Sequence, residues 1–373
     1  MPDTQRGTFI FNELRMNIMI FDATPHWSGG ANRILLFSKE LKKRGHTITA
    51  CCLPGSGLST ILLEEKISVY TIDPKSDVNL FIVPKLINLI VKEKIDLIEI
   101  CSPKFYWVAS LAGKLTNRKV ILTRNVPYRK KGVKKQINRL LYTQLIDSII
   151  AVSDKIKREL IEDYAIPEHN IRVIYDGIDL LSFNKLKRAV DNIDPAPYVV
   201  AVISRLDAHK GLECFIAAIP DIVEKIGAVS FLIVGTGSIE LQLKELAKKL
   251  NIQDKVFFTG FRKDIPEILS EVDITVMPSP EEGMSMSALE SMASSRPVVA
   301  TSGSGLVDVI VNNVSGMIVK PDDSKGLANG VIRLLGSDYR QIGMAARQIA
   351  EEKFELQKVV SQYELLAEDL ISH

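Results

Sequence analysis

Short apolar runs alternate with longer stretches of helical periodicity along nearly the whole chain. Runs of strand character fall at residues 17–21, 45–49, 69–72, 97–100, 120–122, 149–152 and 171–174. They resume at 198–203, 231–234, 256–261, 274–277 and 297–300, and residues 316–322 form a last strand and turn. Between them lie helical stretches, one carrying Ile34, Leu35 and Leu41 and another spanning 83–94. Alternation of this kind implies parallel sheets with helices on both faces. Open sheets of that type gather ligands at the carboxyl ends of their strands. Towards the end of the chain the pattern gives helices at 324–336 and 338–370.

The rhythm breaks once. Residues 184–197 carry several charges and two prolines and read as a linker. A chain of 373 residues exceeds one ordinary core, so two domains are expected, at 16–184 and 198–350, joined by 185–197. Residues 1–15 are expected to be a poorly ordered lead-in, because the first strong strand starts at Met16. With 46% apolar and 25% charged residues the composition is that of a soluble globular protein. A net charge of +2 gives no argument for nucleic acid. Four scattered cysteines, Cys51, Cys52, Cys101 and Cys214, suit a reducing compartment. No run has the length of a membrane span, and the amino terminus lacks the apolar centre of a signal peptide. The expected location is the cytoplasm.

Chemistry concentrates where strands end. After the run at 17–21 comes a loop closing on Gly29 and Gly30 and opening a helix, which lets backbone approach a phosphate or simply makes a tight turn. After 198–203 come Arg205 and Lys210, a guanidinium fork and a point charge able to clamp a diphosphate. After 231–234 stand Gly235 and Gly237, but Glu240 occupies the place of the third glycine of a dinucleotide fingerprint, which disfavours a hydride-transferring enzyme. After 274–277 the chain runs through Glu282, Gly283, Met284, Ser285 and Met286 to Glu290. Ser285 can cap the helix that follows, whose first-turn N–H groups attract an anion. Glu290 lies roughly 7–8 Å further along that helix, so two acceptors flank the anion position. A nucleotide sugar matches that spacing.

Glu282 and Glu290, with seven residues between them and Pro297 to Ala300 following, resemble the donor signature of glycosyltransferase family 4. The Arg205…Lys210-Gly211 stretch, the turn at 175–179 and the Gly29-Gly30 pair resemble that family's motifs in the same order. The resemblance runs from about residue 16 to the end of the chain. It implies a GT-B fold: two Rossmann-like α/β domains whose parallel sheets face each other across a cleft, with residues 351–373 a helix crossing back to the first domain. It also implies retaining transfer of a hexose-type sugar from a nucleoside-diphosphate sugar, a UDP-sugar in the first place, with GDP- and ADP-sugars as alternatives.

In that scheme Arg205 and Lys210 take the diphosphate with Gly29 and Gly30, and Glu282 stands near the reacting carbon. Glu290 takes the ribose, while Gly235, Gly237 and Phe261 lie near the nucleotide, Phe261 being equally readable as core. Gly283, Met284, Ser285 and Met286 stand where the family usually has Gly-Phe-Gly-Leu, so the sugar itself is left open. The family's histidines in the first domain are replaced around 101–103 and 123–125, leaving Arg124 and Asn125 as acceptor candidates. Asp308 stands where a glutamate is usual, or caps a helix. The basic stretch from Arg129 and Lys130 to Arg139 suits an anionic lipid-linked acceptor, an anionic membrane surface or a plain solvated helix. No Asp-x-Asp pair occurs, so neither a metal nor a cofactor is expected. The expected acceptor is a saccharide or lipid-linked sugar of cell-surface polysaccharide or lipopolysaccharide. An epimerase on the same frame and a silent nucleotide-binding protein are the alternatives.

Overall fold

The computed structural model describes residues 15–76, 78–127, 132–184 and 197–372. The first sheet contains β1 (Asn17–Phe21), β2 (Thr47–Cys52), β3 (Ser68–Thr71), β4 (Leu97–Ile100), β5 (Lys119–Arg124), β6 (Ser148–Ala151) and β7 (Ile171–Val173), in the order 3-2-1-4-5-6-7. The second contains β8 (Tyr198–Ile203), β9 (Val229–Val234), β10 (Val256–Gly260), β11 (Ile274–Met277), β12 (Val298–Thr301) and β13 (Gly316–Val319), in the order 10-9-8-11-12-13. All neighbouring strands are parallel. Strands such as β4 and β9 are buried on both faces, which is why they read as continuous apolar runs. In each sheet the strand order reverses beside the first strand, between β1 and β4 and between β8 and β11. Loops leaving such strand pairs ordinarily diverge, which opens a crevice at the carboxyl ends.

The expected linker, 185–197, lies outside the described residues except for Pro197, and so does the lead-in except for Arg15. The expected single helix at 338–370 is two: Tyr339–Lys353 and Leu356–Ser372. The break arises because the chain recrosses beside the turn at 175–179: Ile178 donates to the carbonyl of Phe354 and accepts from the N–H of Leu356. Phe354 then fills the core edge-on to Tyr175. The last helix packs Val359, Val360 and Tyr363 onto the first domain, in one cluster with Ile18, Phe37 and Leu41. His46 ties the same helix down, accepting from the Met16 N–H and pairing with Glu364 at 2.9 Å.

Beneath this crossing lies a buried ionic group. Arg33, 1% exposed, donates to Glu99 at 2.9 Å and stands 3.2 Å from Asp176. Thr123 also donates to Glu99, at 2.6 Å. Burial pushes the Asp176 carboxyl up to about 6 against the pull of Arg33. Removing one partner of such a group leaves uncompensated charge inside the protein. Arg33→Met is therefore expected to cost about 3–5 kcal/mol of stability in urea unfolding at pH 8. The loss should shrink towards pH 5, where the stranded carboxylates take up protons instead. A loss equal at both pH values would contradict this account of the network.

Candidate active site at the interdomain cleft

At the end of β8 the chain turns through Arg205 and a single turn at Ala208–Lys210 before Gly211 starts the helix Leu212–Ile226. Gly211 has φ +68, and a Cβ there would overlap the carbonyl of Pro278. Glycine thus lets the loop after β8 rest on the loop after β11, across the reversal point of the sheet. The contact brings the Lys210 ammonium 2.9 Å from the Glu282 carboxylate, both side chains 18% exposed. Arg205 pairs with Asp207 at 3.1 Å. Partial burial, Lys210 and Arg205 together push His209 below its usual value. His209 carries no motif signature, yet it feels the charges of Arg205, Lys210 and Glu282 at once.

Gly235 and Gly237 pack directly on the backbone of Ser204 and Leu206. Their missing side chains serve the fit between the loops after β8 and β9. Phe261, just after β10, is 52% exposed and so is not a core residue.

Glu282 is held by its main chain as well. Its N–H donates to the carbonyl of Gly303 at 3.1 Å, and its carbonyl accepts from Gly305 at 3.2 Å. The helix Met286–Ala293 begins where expected, with Ser285 Oγ accepting from the Ala288 N–H. Ser285 is buried, as are Met284 and Met286, which join the hydrophobic cluster extending from the first domain's core. Glu290 sits one turn further on, and burial alone pushes its carboxyl up to about 8.

The first domain meets these loops closely. Ser28 Oγ caps the helix Gly29–Lys43 by accepting from the Ala31 N–H. Gly29 lies against Met286 and Gly30 against the Asn125 side chain, so two helix starts face each other. A Cβ on Gly283 would overlap the carbonyl of Asn125. Asn125 therefore stands in the cleft, with its buried Oδ1 lacking a hydrogen-bond partner.

Arg124 does not join it. Its side chain is buried, Nη1 donating to the Tyr142 hydroxyl at 2.7 Å and Nε to the carbonyl of Val126 at 3.1 Å. The strand places Arg124 beside the cleft, but the side chain turns inwards, so it is not available to an acceptor. Arg129 and Lys130 lie outside the described residues. Asp308 is not a helix cap: both its oxygens accept from Arg158, at 2.9 and 3.0 Å. Among the sequence candidates, the structure gathers Gly29, Gly30, Asn125, Gly283, Met286, Glu282 and Lys210 in one place.

The family model for glycosyltransferase family 4 matches residues 27–181, and that for glycosyl transferases group 1 matches residues 183–352. An uncharacterised glycosyltransferase of Methanocaldococcus jannaschii is 31% identical over 218 residues, 55% of each chain. The chain thus spans little more than half the length of that relative. An Escherichia coli UDP-Gal:α-D-GlcNAc-diphosphoundecaprenol α-1,3-galactosyltransferase is 26% identical over 265 residues, 67% of this chain and 68% of that one. Among solved structures, Anabaena HepE in complex with UDP and glucose superposes with a TM-score of 0.82 at 21% identity, covering 95% of this chain and 100% of that one. Two parallel-sheet domains, a cleft lined from the strand ends and two adjoining family matches agree: the chain belongs to the family-4 type of glycosyltransferases, on the GT-B fold.

Proposed function

We propose that this protein transfers a hexose-type sugar, with retention of anomeric configuration, from a nucleoside-diphosphate sugar to a saccharide or lipid-linked acceptor in cell-surface polysaccharide or lipopolysaccharide synthesis. The observation that carries the reading is the Lys210–Glu282 pair at the reversal point of the second sheet, beside Arg205 and the start of the helix Met286–Ala293. The E. coli relative uses a UDP-sugar and a diphosphoundecaprenol-linked acceptor, and HepE holds UDP and glucose. Both support a UDP-sugar donor here.

Breaking the glycosidic bond leaves negative charge on the diphosphate. Lys210, Arg205 and the first-turn N–H groups are groups already aimed at that charge, and preorganised charge stabilises a transition state without solvent rearrangement. Glu282, released from Lys210 as the phosphate arrives, orients the sugar and steadies positive charge at its anomeric carbon. The donor is a substrate and the two cations take the part of a metal. Closure of the domains excludes water from the reacting bond.

Thermal-shift screening with UDP-, GDP- and ADP-sugars tests the donor. A ligand at 100 times its Kd raises stability by about 2.7 kcal/mol, and a UDP-sugar is expected to do so. Arg205→Ala and Lys210→Ala are each expected to lower kcat by about 10²–10³, with turnover unaffected by EDTA and the product anomer matching the donor by NMR. Stabilisation by no nucleotide sugar would sink the proposal. Epimerisation without an acceptor, or tight binding without turnover, would favour the two rival readings.

Glu290 supplies a test by pH. Ribose hydroxyls donate to the ionised carboxylate, so UDP binding should tighten as pH rises from 7 through about 8, and Glu290→Gln should abolish that trend. Without nucleotide the sign is opposite. Folded Glu290 keeps its proton up to about 8 against 4.5 for the ordinary carboxyl, so its contribution to stability is present below 4.5 and is lost as pH rises through 8. Calorimetric UDP titrations at pH 7, 8 and 9 would show the trend. A pH-independent Kd in the native protein would refute the role of Glu290.

A further inference from the structure

One carbonyl oxygen joins the two domains to the carboxylate at the centre of the cleft. In the first domain, β6 is followed by Ser153, whose Oγ caps the helix Asp154–Tyr164 by accepting from the Ile156 N–H. The first turn of that helix presents Lys155. Its ammonium donates to the carbonyl oxygen of Gly303 at 2.5 Å, in the second domain. The same oxygen accepts the N–H of Glu282 at 3.1 Å. A carbonyl has two lone pairs, so it can hold both donors, and the one from the ammonium is charge-assisted. Lys155 is only 17% exposed, with Glu159 3.7 Å away on the next turn.

The contact is built into the packing around it. Gly305 donates to the Glu282 carbonyl, and a Cβ on Gly305 would overlap the Gly283 carbonyl on one side and crowd Ser153 Oγ on the other. The loop at 303–305 is thus pressed between the start of the first domain's helix and the main chain of Glu282. Lys155, Gly303, Glu282 and Lys210 form an unbroken chain of polar contacts that crosses the domain boundary once. Arg158, one turn on, pairs with Asp308 with its own side chain half exposed, and exposed ion pairs of that kind contribute little.

We infer that Lys155 is a positioning residue: acting from the first domain through the Gly303 carbonyl, it sets the main chain of Glu282 so that the carboxylate reaches its working place only when the domains meet. The inference rests on the sugar-transfer reading, which gives Glu282 its task. It assigns Lys155 no contact with donor or acceptor.

The test compares Lys155→Met, Lys155→Arg and, as a control on the same helix, Arg158→Ala. In Lys155→Met, kcat is expected to fall about 10- to 100-fold, the scale of a small misplacement of a reacting group. The Kd for UDP should stay within about twofold, because an interaction needed only at the transition state leaves ground-state binding alone. Lys155→Arg should restore most of the turnover, and Arg158→Ala should resemble the native protein. Hydrogen exchange gives a readout independent of turnover: the amides of Glu282 and Gly305 should exchange faster in Lys155→Met and not in Arg158→Ala. Native turnover in Lys155→Met, exchange unchanged at Glu282, or UDP affinity lost in step with kcat would each overturn the inference. A native protein that turns over no nucleotide sugar would instead overturn the transferase reading and the catalytic part of this inference with it. The exchange measurement would still decide whether Lys155 holds Glu282.

Discussion

The ion pair between Lys210 and Glu282 spans the one place where the second sheet changes direction, and the geometry of the cleft follows from it. Two loops leaving β8 and β11 would ordinarily diverge. They meet because Gly211 adopts a left-handed conformation and offers no Cβ to the Pro278 carbonyl. A larger residue there would part the loops and leave each charge facing solvent alone. On the other side of Glu282, Gly283 and Gly305 allow main chain to stack on main chain, so the first domain comes within contact of the carboxylate's own backbone. The absence of side chains sets the position of the charged ones.

Both cations read from the sequence as diphosphate ligands are paired in the structure, Lys210 with Glu282 and Arg205 with Asp207. This makes electrostatic sense for a cleft that must also exist empty. A partly buried ammonium without a partner is costly, whereas one that exchanges a carboxylate for a phosphate keeps its charge compensated throughout. In the proposed transfer the exchange also frees Glu282, so the arrival of the anion and the readiness of the carboxylate become one event. Partial burial and the same cations push His209 below its usual value.

Local patterns made most of the framework legible. The runs at 198–203 and 274–277 coincide with β8 and β11, and Ser285 caps the helix it was expected to cap, because apolar runs and capping residues act over a few positions. The misreadings all concern long-range partners. Arg124 ends β5 just where a cleft residue is expected, but Tyr142 draws its guanidinium inwards. Residues 338–370 stay compatible with one helix until Ile178, far away in sequence, claims the backbone of Phe354 and Leu356. Asp308 has the position of a cap, and Arg158 takes it as an ion-pair partner instead. Lys155 has no motif at all. It is one lysine in a helix rich in charge, and only the meeting of two domains distinguishes it.

The two glutamates of the signature end in opposite electrostatic situations. Glu282 lies before the helix, held by a lysine at its side chain and by Gly303 and Gly305 at its main chain. Glu290 lies within the helix, where burial with no compensating charge favours its neutral form. The first is anchored by these contacts before any ligand arrives. The second gains from ionising only when a donor of hydrogen bonds is brought to it. A ligand with phosphate between two polar ends, as in the proposed donor, would satisfy both at once, its anion competing for Lys210 while its hydroxyls reach one turn along the helix. A bare phosphate would meet only the first requirement, and a bare sugar neither. Under the proposed transfer, discrimination in this cleft would come from making two unlike carboxylates depend on one molecule.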